Sequence, residues 1–170
     1  MAEEKLVLSV LVDNVSGVLQ RVAGLFSRRG YNISSLTVSE TEDPAFSRMT
    51  IESYTEPENF RQIKAQLLKL EIVKKVAELT DDKSVSSELL LIKVSAAGVE
   101  KKNALLALNM RYGARVLDVS MTTMTLEFTG AGSTIDLFVE EIESSFGIVE
   151  LARTGITSLE RGEGSFTDDI

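Results

Sequence analysis

The chain has 170 residues, 44% of them hydrophobic, with a formal charge of −8 and a pI near 4.7. It is long enough for one large core or two small ones, and its acidity argues against a nucleic-acid partner, which needs clustered Lys and Arg. The absence of cysteine and histidine excludes disulfides, thiolate nucleophiles, imidazole acid–base catalysis and Cys or His metal ligation. This usage fits a reducing cytoplasm. Residues 1–5 lack the basic flank of a secretory signal, and the apolar run that follows is too short to span a bilayer, so a cytoplasmic chain without membrane segments is expected.

Residues 6–12 are apolar apart from Ser9, the pattern of a central strand buried on both faces. They stop at Asp13-Asn14-Val15-Ser16-Gly17-Val18-Leu19, a polar, glycine-containing turn that opens a helix. Unpaired backbone N–H groups at such a start make a seat for a small anion. Val18, Leu19, Val22, Leu25 and Phe26 recur at helical spacing, and Gly30 closes the helix. Asn32 follows at a turn, where its amide offers a donor and an acceptor, the pair that a free amino acid needs. Residues 33–39 then read as a strand, 40–46 as an acidic loop with Pro44, and Met49 and Ile51 alternate with Arg48, Thr50 and Glu52 as the return arm of a hairpin. Thr55 with Glu58 has capping-box spacing, Pro57 suits a first helical turn, and Phe60, Ile63, Leu67 and Leu70 mark one helical face. Residues 72–79 supply a last strand.

The second half repeats this order. Residues 89–94 form a strand and 103–111 a helix ended by Gly113; Val116, Leu117 and Val119 precede a partner strand with Met124, Leu126 and Phe128. Ser133 and Asp136 suggest a cap for the helix striped by Ile135, Phe138, Val139, Ile142 and Phe146, and residues 148–152 make the final strand. The expected fold is α+β, two ferredoxin-like βαββαβ domains in tandem over residues 1–80 and 88–160, with a linker at 81–87 and a fraying tail at 161–170. A sheet with helices on one face leaves the other to be covered, so a homodimer is expected.

Four segments carry a family resemblance: Arg29-Gly30-Tyr31-Asn32-Ile33, Ser35-Leu36-Thr37-Val38, Ser47-Arg48-Met49-Thr50-Ile51 and Ala152-Arg153-Thr154-Gly155. Together with the Asn14-to-Leu19 turn, they make the chain resemble the small, regulatory subunits of acetolactate synthase (acetohydroxyacid synthase), whose N-terminal half is an ACT domain. The resemblance implies a subunit with no catalytic residues and no cofactor of its own. Its large-subunit partner would use thiamine diphosphate and Mg²⁺ to condense two pyruvates, or pyruvate with 2-oxobutyrate, at the entry to valine, leucine and isoleucine synthesis. The small subunit would raise that activity and confer inhibition by valine. It further implies an effector pocket where two ACT domains meet, with Asn14 and Asn32 as polar positions, Gly17 allowing close approach, and Val18, Leu19 and Ile33 on the aliphatic side.

Each residue also has a plainer reading. Asn14 or Ser16 as a helix cap, Gly17 and Asn32 as turn residues, and Val18, Leu19 and Ile33 as core account for the same letters. Glu40, Glu42 and Asp43 have no defined metal-ligand spacing and read as solvated acids. Arg115, Arg153 and Arg161 stand open between contact with the large subunit and local pairing. The competing functional reading is a stand-alone ACT-domain amino-acid sensor acting on a transcriptional or signalling partner. An enzyme would need a carboxylate pair or lysine that no spacing singles out.

Overall fold

Residues 6–12 form the middle of β1 (Glu4–Asp13). In this computed structural model, which describes residues 3–167, β1 is followed by α1 (Val18–Arg28), β2 (Ser35–Glu40), β3 (Phe46–Thr55), α2 (Pro57–Leu67) and β4 (Val73–Glu78). The strands make an antiparallel sheet of order β2-β3-β1-β4. Leu6, Leu8, Val10 and Val12 alternate onto one face, where Val22, Leu25 and Phe26 of α1 and Ile63 and Leu67 of α2 bury against them.

The second unit repeats the order with β5 (Ser84–Ser95), α3 (Val99–Tyr112), β6 (Arg115–Val119), β7 (Thr123–Gly130), α4 (Gly132–Ser145) and β8 (Ile148–Arg153), its sheet running β6-β7-β5-β8. Leu90, Ile92 and Val94 meet Leu105, Leu108, Ile135, Phe138 and Ile142 in its core. The Phe138 ring sits 4.9 Å from Tyr112 and 5.1 Å from Phe128, in tilted contacts favoured by aromatic pairs. On the opposite face, cross-strand partners Lys93 and Glu150 pair at 2.9 Å, and Arg115 and Glu127 at 2.8 Å.

The expected α+β tandem is present, but its boundaries shift. The first unit comprises Met1–Val85 together with Ile156–Ile170, and the second Ser86–Gly155. The stretch read as a linker at 81–87 instead runs into β5, which starts at Ser84. The second domain ends at Gly155, before a strand absent from the sequence reading, β9 (Thr157–Glu160), which pairs with β5. Of the expected tail, residues 161–167 group with the first unit, while 168–170, like residues 1–2, lie outside the described residues. Two helix caps also differ. Pro57 fixes the first turn of α2, so extended Glu56 takes the N-cap position, and Asn59 Nδ2 donates to Thr55 Oγ1 at 3.1 Å instead of a Thr55–Glu58 box forming. The N-cap of α4 is Ala131, and Asp136 accepts a hydrogen bond from Arg153 Nη1.

The return of the chain covers the helix-free face of the first sheet. Ile156 is buried with Val7 and Leu79; its carbonyl accepts from Thr37 Oγ1 at 2.9 Å, and its N–H donates to Ser35 Oγ at 3.3 Å. Farther along, Arg48 and Lys75 both stand opposite Leu11, on β3 and β4. The Phe166 ring, 5% exposed, lies 4.7 Å from the Arg48 guanidinium carbon and 5.2 Å from Lys75 Nζ. Burying a phenylalanine contributes about 1.5–3 kcal/mol, and each cation–π contact about 0.5–1 kcal/mol. Against this, Arg48 Nε donates to Ser9 Oγ at 2.9 Å while its Nη2 is buried with no hydrogen-bond partner among the described residues, which costs about 1–3 kcal/mol.

In the second unit, Arg153 grips the Glu88 carboxylate through Nε and Nη2 at 2.8 and 2.7 Å and reaches Asp136 through Nη1 at 2.7 Å, tying β5, β8 and α4 together. These bonds hold the Arg153 guanidinium above its ordinary range. Arg153→Met leaves Glu88, only 6% exposed, without its counter-ion; because the Arg153 side chain is itself 32% exposed, the expected loss of unfolding stability is about 2 kcal/mol, that of a hydrogen-bonded charged group and less than that of a fully buried pair. Adding Glu88→Gln should recover most of that loss in a denaturant titration. Equal losses in the single and double variants would count against the pair as the tie.

Candidate functional site

The turn between β1 and α1 is held by the hairpin beside it. Asn14 N–H donates to Ala45 O at 2.8 Å, and Asn14 Nδ2 donates to Pro44 O at 2.9 Å and to Glu40 Oε1 at 3.0 Å. Its Oδ1 accepts from Ser47 Oγ at 3.1 Å, which leaves one lone pair of the amide oxygen for another donor. Gly17 sits at φ +82° with nothing within 4 Å of where a Cβ would stand. The left-handed backbone, and not lack of room, therefore asks for glycine.

The start of α1 has no capping side chain and no acid in its first turn. The Val18 N–H is committed to Val15 O at 3.2 Å, and Arg21 N–H begins the helical ladder on Gly17 O. Between them, the amides of Leu19 and Gln20 occupy positions that lack an intrahelical acceptor, and the helix dipole adds partial positive charge there. Val18 lies in the core, Ile33 is half-buried against it, and Leu19 is 42% exposed beside the open turn.

Asn32 is exposed, and its side-chain amide makes no hydrogen bond among the described residues; its carbonyl accepts from Ser53 Oγ at 2.6 Å. Asn14 is therefore tied to β3 at Ser47 and Asn32 at Ser53. Six residues of strand separate these anchors by about 20 Å. One copy does not bring the two asparagines together, so a small ligand touching both requires two copies.

The loop acids have local roles. Glu40 accepts from Asn14, Asp43 Oδ1 from Ala45 N–H, and Glu42 from Thr167, whose hydroxyl holds the Glu42 carboxyl below its usual range. Arg115 and Arg153 are both paired within their unit, and Arg161 N–H donates to Lys83 O. Among the described residues, no helix is long and apolar enough to cross a membrane.

Residues 8–75 match the family model of the AHAS small subunit-like ACT domain, and residues 87–162 that of the small subunit of acetolactate synthase. The chain is 41% identical over 157 residues to the acetolactate synthase isozyme 3 small subunit of Salmonella typhimurium, covering 92% of this chain and 96% of that one. It is 43% identical over 156 residues to the probable acetolactate synthase small subunit of Methanothermobacter thermautotrophicus, covering 92% of each. The crystal structure of the acetolactate synthase small subunit from Thermotoga maritima superposes with a TM-score of 0.84 at 36% identity, over 95% of this chain and 99% of that one. Both halves of the chain, and the βαββαβ tandem that they form, thus belong to the acetolactate synthase small-subunit family, whose naming implies a catalytic large subunit and a regulatory role in branched-chain amino-acid synthesis.

Proposed function

We propose that this chain raises the activity of its catalytic large subunit and confers feedback inhibition by valine bound between the ACT units of a homodimer. The observation that carries the reading is the separation of two half-sites. An uncapped helix start at Leu19 and Gln20 lies at one end of the sheet, and the unengaged Asn32 amide at the other. Two copies arranged so that the first turn of one faces Asn32 of the other complete a pocket for an amino acid. The helix amides take the carboxylate, Asn32 Oδ1 and the free lone pair of Asn14 Oδ1 take the ammonium, and Leu19 with Ile33 take the isopropyl group.

In this reading the chemistry, on thiamine diphosphate and Mg²⁺, belongs to the large subunit in the cytoplasm. Valine favours one relative arrangement of the two copies, and the large subunit senses it. A coupling of about 1–3 kcal/mol suffices for a five-fold to hundred-fold change in activity, provided that valine binds the two arrangements with different affinity.

The deciding experiment measures acetolactate formation by the large subunit with and without this chain, with valine titrated into both. Activation and acquired valine inhibition are expected. Valine binding with no effect on acetolactate formation would favour the stand-alone sensor. Asn32→Ala is expected to weaken valine binding at least about 10-fold by calorimetry, the loss of a hydrogen bond to a charged group, while activation stays intact. Inhibition with unchanged valine affinity would remove Asn32 from the site. Gly17→Ala places a Cβ on a left-handed backbone at a strain of about 1–2 kcal/mol; a lower melting temperature and a raised valine dissociation constant are expected together, and an unshifted melting curve would contradict the backbone argument.

A further inference from the structure

Residues 161–165, Arg-Gly-Glu-Gly-Ser, join β9 to Phe166; they are exposed, outside regular strand or helix, and turn at Gly162 with φ +105°. A short glycine-bearing connector therefore delivers one aromatic ring to the row Arg48, Leu11 and Lys75, and Thr167 fastens its end to Glu42. The closed arrangement has a specific cost. Nη2 of Arg48 is buried without an acceptor among the described residues, and burial holds this guanidinium below its ordinary range against the opposing pull of Glu160 and Glu42. Seating the ring gains apolar and cation–π contact and strands a charged donor, opposing terms of the same order. The closed arrangement is thus opposed as well as favoured. The face beneath is apolar at Leu11 and cationic at its flanks, which suits an acidic partner, and the segment that covers it brings one aromatic, Phe166, with two acids, Glu160 and Glu163, and one base, Arg161.

We infer that residues 161–167 are a latch masking a docking strip, formed by Leu11, Arg48 and Lys75, for an acidic segment that presents an aromatic side chain, and that the large subunit supplies this segment when the latch opens. The docking half rests on the regulatory-subunit reading, and the latch half does not. Ile156, with its own hydrogen bonds to β2, stays in place when Phe166 leaves.

The test uses the full chain with Phe166 or with Phe166→Ala, and a fluorescently labelled peptide of residues 158–167 followed by anisotropy. The variant is expected to bind the peptide at least about 10-fold tighter than the unaltered chain, whose own latch competes, and a peptide carrying Phe166→Ala is expected not to bind. Equal peptide binding to both chains, or to neither, overturns the latch. Should Phe166→Ala unfold, Phe166→Leu keeps apolar cover and loses the cation–π contacts, and is expected to bind the peptide about 3-fold tighter; no gain there overturns the latch as well. Affinity for the large subunit, measured on the same proteins, is expected to rise about 3-fold or more on unlatching. Unchanged or weaker affinity in a variant that melts as the unaltered chain does overturns the docking role alone. Absence of any complex with the unaltered chain overturns the regulatory reading and the docking role together.

Discussion

The first unit is organised by the fact that β1 has no face left for solvent. Leu6, Leu8, Val10 and Val12 are buried on one side, and Val7, Ser9 and Leu11 on the other. A two-layer ferredoxin-like arrangement supplies helices for one side only. The remaining side is closed by residues 156–166, far along the sequence from β1, with Ile156 over the Val7 end and Phe166 over the Leu11 end. A unit of this size has a small core, and covering the second face enlarges it without a third helix.

The two units share an order of elements and differ in how they treat the free face. In the second sheet, Lys93 with Glu150 and Arg115 with Glu127 place cross-strand ion pairs on that face. The strands state the difference directly. β5 alternates Leu90, Ile92 and Val94 with Leu91 and Lys93, whereas β1 is apolar almost without a break. Alternation marks a half-buried strand and continuity a fully buried one. The need for a cover in the first unit was thus visible in residues 6–12, although its source was not.

Strands and helices were legible where period and punctuation agreed, as in α1, whose apolar stripe ends at Gly30 with φ +73°. Helix starts were less so, because a hydroxyl followed by an acid names a possible cap without fixing where the backbone turns; Pro57 and the extended Ala131 decided those cases. β9 has four residues, and Phe166 is a lone aromatic among polar neighbours, so neither leaves a periodic signal. Arg153 illustrates the same limit from another side. Its partner Glu88 lies 65 residues away, and only the register of β5 with β8 brings the two together. The candidate site was legible as a set of residues but not as a geometry. That Asn14 and Asn32 sit at opposite ends of one sheet follows from the pairing of β3 with both neighbours, which no local pattern contains.

That pairing also joins two features that the sequence presents as unrelated. The hairpin between β2 and β3 holds the helix-start turn through Glu40, Pro44 and Ser47, all bonded to the side chain of Asn14. Two residues beyond Glu40, Glu42 holds Thr167 at the end of the covering segment. The hairpin is thus bonded both to the turn that presents backbone amides to an anion and to the segment that closes the far face. A displacement of the hairpin cannot leave either set of bonds unchanged, because each attachment is a directed hydrogen bond that weakens steeply with misalignment. The acids at 40 and 42, which composition alone assigns to a solvated loop, are therefore the residues through which the turn and the cover of this unit are mechanically one piece.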